Sequence, residues 1–154
     1  MPAPLLLLGS AADLPADLPG PPSPAAPLRL TAMARPPTWV RRLTHGSAPH
    51  ACAEGEELGL MDLALAARAS PLFTTRAPVD RYFAALEARW ETLAVAGVLA
   101  PGVWAWTWHD GTARGPIRPG SVLVCTCRTG QECHLGHLAP FLMRAGWDVR
   151  RLRR

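Results

Sequence analysis

The hydrophobic pattern divides the chain into short segments of two kinds. Leu5 to Leu8 is an unbroken apolar run closed by Gly9-Ser10, the length of a buried strand and too short for a helix. From Leu28 to Thr31 the pattern alternates, with Leu28 and Leu30 on one side and Arg29 and Thr31 on the other, and Met33 adds a further apolar position, which predicts a second strand. Between them, over 14–27, Pro15, Pro19, Pro21, Pro22, Pro24 and Pro27 forbid regular helix and predict a loop. The stretch from Ala34 into the run of glutamates near residue 57 has no period and reads as exposed loop; a short helix is expected within 57–75. Val79, Tyr82, Phe83, Leu86, Trp90 and Leu93 recur at helical spacing and predict a helix over 79–96, stopped by Gly97. Trp104, Trp106 and Trp108 share one face of a strand that ends in an Asp110-Gly111 turn.

The last part of the chain is the most regular. Residues 121–127 read as a strand, 134–145 as a helix ended by Gly146, and 147–152 as a final strand. That makes 121–152 a βαβ unit. No repeat and no heptad pattern is present. Strands alternating with helices predict a single α/β domain over 1–154, Rossmann-like, with a mostly parallel sheet and helices on both faces. In such sheets ligands bind beyond the carboxyl ends of the strands.

Composition adds limits. Hydrophobic residues make up 49% of the 154, a globular and not a disordered content. Net charge is +4, and every basic residue is arginine: the chain has no lysine and no asparagine. This bias, with abundant alanine, proline and glycine, has the mark of a GC-rich coding sequence, so arginine number alone says little about partners. The leucine run near the start lacks a positive flank and falls short of the roughly 7 apolar residues of a secretory core. No stretch approaches the roughly 18 apolar residues of a membrane span. A cytoplasmic protein is expected, with its cysteines as thiols or metal ligands and not disulfides. Oligomeric state is not legible.

Candidate chemistry gathers in 125–137. Cys125 and Cys127 fall on one face of the predicted strand and Val122 and Val124 on the other, toward the core. Gly130 permits a bend in the loop, Cys133 and His134 open the helix, and His137 shares a face with His134. Three readings stand side by side. Cys125, Cys127, Cys133 and His137 (or His134) make the four ligands of a structural zinc, although Cys-x-Cys on an extended strand splays its sulfurs. Alternatively, a thiolate of Cys127 or Cys133 works at a helix start, with His134 or His137 as acid or base and Arg128 holding an anion. The loop lacks the closing arginine of a Cys-x5-Arg phosphatase signature, because Cys133 stands there. In the third reading the cysteines are small buried residues, the best account of Cys125.

The stretch VLVCTCRTGQECHLGHLAPFL resembles the C-terminal motif of the domain-of-unknown-function family numbered 488, through Cys125, Gly130, Cys133, His134, Leu138 and Ala139. The segments LLLLGSAADLPADL, PLRLTAMARPPTW and DRYFAALEARW are similar to that family's first strand, second strand with its Pro-Trp loop, and central helix. Leu135 stands where members commonly carry arginine, and Cys127 where a polar residue is common. The resemblance implies a Rossmann-like α/β fold and no defined activity.

The expectation is therefore a small protein that binds, or acts on, a phosphate-bearing or nucleotide-like ligand. Cys133 and His134 would be central, with Cys127, Arg128, Gly130 and His137 around them. A loop carrying Arg35, Trp39, Arg41, Arg42, His45 and His50 would close over the site. The alternative is a non-catalytic, zinc-stabilised module that touches nucleic acid through its arginine surface. Two or more of the three strand tryptophans are expected to be buried rather than to form a stacking platform. Asp62, Glu87 and Glu91 read as surface charges.

Overall fold

The computed structural model describes residues 2–16, 26–32, 36–48, 77–112, 114–126 and 134–152. Seven strands form one sheet: β1 (Leu5–Ser10), β2 (Arg29–Thr31), β3 (Gly46–Ser47), β4 (Ala105–Trp108), β5 (Arg114–Pro116), β6 (Ser121–Cys125) and β7 (Asp148–Arg151). Their spatial order is β5-β4-β3-β2-β6-β1-β7. β3, β2, β6, β1 and β7 pair in parallel; β4 and β5 are added antiparallel at the β3 side. The α/β class predicted from the alternation is present, and the sheet is mixed, with a parallel majority and an antiparallel pair at one edge. The antiparallel hairpin forms because the Asp110-Gly111 turn reverses the chain directly into β5.

Among the described residues three α-helices accompany the sheet: α1 (Thr38–Leu43), α2 (Ala77–Val95) and α3 (His134–Ala145). Strand alternation sorts the apolar side chains into two layers. Leu6, Leu8, Leu30, Leu123 and Cys125 face α2 and α3, where Leu86, Trp90, Leu135, Leu138 and Leu142 complete the larger core. The Leu8–Leu123–Leu30 row lies in register across three strands. On the other face Val124 packs with Val40 of α1 and with Ala11 and Leu14, and Val122 and Leu43 flank them. Each fully buried leucine contributes about 1.5–3 kcal/mol, so the α2–α3 face holds most of the fold.

α2 and α3 end alike. Gly146 has φ 116°, its N–H bonds to Met143 C=O, and Trp147 N–H reaches back to Leu142 C=O; Gly97, Val98, Ala94 and Leu93 repeat the pattern after α2. This pair of bonds is the glycine-capped Schellman stop, and it satisfies carbonyls that the helix end would leave bare.

Four sequence expectations change. Val122 and Val124 face the smaller layer, and the Cys125 face is the main core. β6 and β7 are not neighbours, since β1 runs between them and pairs with both. The region after residue 35 is not simply loop, because it carries α1 and β3. β5 was not expected at all. The helix expected within 57–75 lies outside the described residues. Among the described residues no helix is long and apolar enough to cross a membrane.

Candidate functional site

β1 and β6 are adjacent and parallel, with Ser10 beside Cys125 at their carboxyl ends. The described elements that follow the two strands pack on opposite faces of the sheet. After β1 the chain enters a 3-10 turn (Ala11–Asp13) that packs on the α1 side through Ala11 and Leu14. After β6 it proceeds to α3, which packs on the other face through Leu135, Leu138 and Leu142. In open α/β sheets, ligand crevices form where the connections of neighbouring strands go to opposite faces. Ser10 accepts the Ala12 N–H at 3.3 Å and so fixes the turn on one side of this point. On the other side Thr126, exposed, is the last described residue before α3.

The predicted site residues distribute unevenly around it. Cys127, Arg128, Gly130, Cys133 and Arg35 lie outside the described residues. His134 is the first residue of α3. Cys125 is 2% exposed and part of the main core. His137 is turned to α2, where its Nδ1 is 2.6 Å from the Glu87 carboxylate, and one helical turn further along the same seam Arg144 pairs with Glu91. The two glutamates are thus half-exposed partners in a contact between helices. Among the described residues no group of three His, Cys, Asp or Glu is arranged to hold a metal ion.

Trp39 is 47% exposed in the first turn of α1, the turn reached from the carboxyl end of β2, and so stands at the same edge of the sheet. Arg41 and Arg42 follow it and are exposed. The expected loop closing over the site does not extend to His45. β3 runs parallel to β6, and His45 precedes β3, so it occupies the opposite, amino edge. Trp104 and Trp106 are buried and Trp108 is half-buried, in line with burial of two of the three.

The amino edge holds a polar cluster that the sequence reading missed. The backbone N–H of Arg29 donates to His45 Nδ1 at 2.9 Å, and His45 N–H donates to Arg29 C=O at 2.7 Å. His45 is 7% exposed, and its Nε2 meets no hydrogen-bond partner among the described residues. Its ring stands edge-on to Trp108 with centroids 5.9 Å apart. Next to it the buried Thr44 hydroxyl donates to Val40 C=O at 2.8 Å and lies 2.6 Å from His109 Nε2. With its one proton given to the carbonyl, Thr44 Oγ1 accepts from Nε2–H. Burial holds the His45 imidazole below the ordinary histidine value, and the Arg29 and Arg118 charges act the same way. Burial, then the Arg41 charge, lowers His109 as well. Asp110 is held below the usual carboxylate range by the Thr112 hydroxyl and N–H. Only the His-rich, Trp-rich composition of 44–50 and 104–109 hinted at this corner; the pairing of β3 with β4 was needed to see it.

No family model matches the chain, and no curated protein or solved structure matches it.

Proposed function

We propose that this is a small-ligand-binding α/β protein, related to the family 488 it resembles, that takes a phosphate-bearing or nucleotide-like anion. The carrying observation is that the described elements following β1 and β6, which lie side by side at Ser10 and Cys125, pack on opposite faces of the sheet. In this reading the parallel half of the sheet works as a Rossmann-like platform. The anion lies beyond β6 against the first turn of α3, whose free N–H groups and positive dipole end favour it. Cys133 and His134 are the central contacts. Cys127, Arg128, Gly130 and Arg35 are assigned to the same ligand, together with Trp39 in the first turn of α1. A thiol beside a helix start is held partly as thiolate, so a cytoplasmic, reducing setting suits the site. Cys125 supports it from the core, and His137 keeps α3 against α2.

The test is calorimetric titration of the protein with inorganic phosphate, AMP and ADP. Binding of one of them, lost in the Cys133→Ala/His134→Ala double variant at unchanged circular dichroism, is expected. No heat with any of the three, or equal heat in the double variant, overturns the reading. Elemental analysis of the same sample provides a second check: one zinc per chain, released by the double substitution, would assign these residues to a metal instead.

A further inference from the structure

We propose that His45 is an acid-released latch holding the β3–β4–β5 side of the sheet onto β2. β3 is two residues long, so its ladder to β2 is minimal: Leu30 pairs with Gly46 and Thr31 with Ser47. The contact is extended at its amino end by the paired bonds between Arg29 and His45, one of which ends on a side chain. That bond requires a lone pair on Nδ1. The neutral ring therefore carries its proton on Nε2. A second proton can enter only at Nδ1, where it would face the Arg29 N–H at 2.9 Å. It would also put a charge in a ring that is 7% exposed and whose other nitrogen has no acceptor among the described residues.

The charged neighbours compound this. Arg29 of β2 and Arg118, ahead of β6, act on His45 with positive charge. Arg118 is engaged with Ala26 C=O at 3.1 Å and lies over the Trp106 ring. Among the described residues His109, after β4, is the remaining titratable neighbour; Arg41 of α1 and Asp110 act on it, and the Asp110 carboxylate is occupied by Thr112. The His109 N–H reaches His45 C=O at 3.4 Å, so loss of the His45 contact loosens β4 at the same point. His109 itself takes a proton at its second nitrogen without breaking the Thr44 bond, which makes His45 the controlling group. Protonation thus breaks the side-chain member of the paired bonds at the junction where the antiparallel strands join the parallel ones, the local charge event and bistable element that a pH switch needs.

Native-state amide exchange at pH 7.5 and 5.0, corrected for intrinsic rates, tests this. Protection of 45–48 and 105–109 is expected to fall at least tenfold at pH 5.0 relative to 121–125. In His45→Asn, whose side-chain oxygen can accept the Arg29 N–H without titrating, the differential loss should vanish. Equal loss across the sheet in the wild type, or an unchanged differential in His45→Asn, overturns the proposal. Imidazole ¹⁵N titration of the wild-type protein gives an independent readout should that variant fold poorly. His45 proton uptake must share its midpoint with the loss of protection, and a separated midpoint overturns the latch equally.

Discussion

Two residues illustrate how far a side chain's chemistry can be read without its neighbours. Cys125 ends β6 on the core face, and its burial follows from strand alternation once the larger core is known to lie on that side. His45 offered no such clue. Its role depends on the Arg29 amide, which the sequence places sixteen positions away and only the β2–β3 pairing brings to 2.9 Å. Gly46, beside it, is fixed by close approach: a Cβ there would stand 2.1 Å from the Thr107 carbonyl oxygen, a backbone atom that cannot swing aside. Gly46→Ala is therefore expected to destabilise the protein by about 3 kcal/mol, the upper range of overpacking. Urea denaturation reads this directly, and a change within about 0.5 kcal/mol, as for an ordinary surface site, would mean that β3 and β4 separate freely.

At the scale of elements, length decided what was legible. α2 and α3 carry enough periodic positions to be recognised, and each has a glycine where the Schellman bonds close it. α1 has six residues, begins at Pro37 without a side-chain cap, and buries only Val40 deeply, so no period could emerge. β3 has two residues and is defined by its partners alone. α3 also contains an internal cost. Pro140 lies within the helix and is exposed, so it removes one i to i−4 bond without any packing gain that the described contacts show. Pro140→Ala should raise stability by about 1–3 kcal/mol through the restored bond and better propensity. Thermal unfolding provides the measurement; a lower melting temperature would show that the proline stabilises through the unfolded chain instead.

For the whole molecule, the α/β class was readable from alternation, whereas the strand order was not, because pairing partners are chosen by packing and not by sequence proximity. The order places both lowered histidines at one corner, which sets a pH response. Their native values lie below the unfolded value of about 6.5. The unfolded chain therefore binds more protons between those values, and stability rises with pH across that interval. The full contribution is present above about pH 6.5 and is lost as pH falls through the interval. The urea midpoint is expected to be higher at pH 7.5 than at pH 5.5, with part of the difference removed in His45→Asn; equal midpoints would contradict it. The position of β1 between β6 and β7 has a different consequence, for biogenesis. Leu6 finds its neighbour at Ser121, so during synthesis β1 has no permanent companion until more than a hundred further residues have been added. Closure over such a span is slow and leaves greasy segments open to wrong encounters. The nascent polypeptide is thus a natural client for a holding chaperone until β6 has emerged to complete the centre of the sheet.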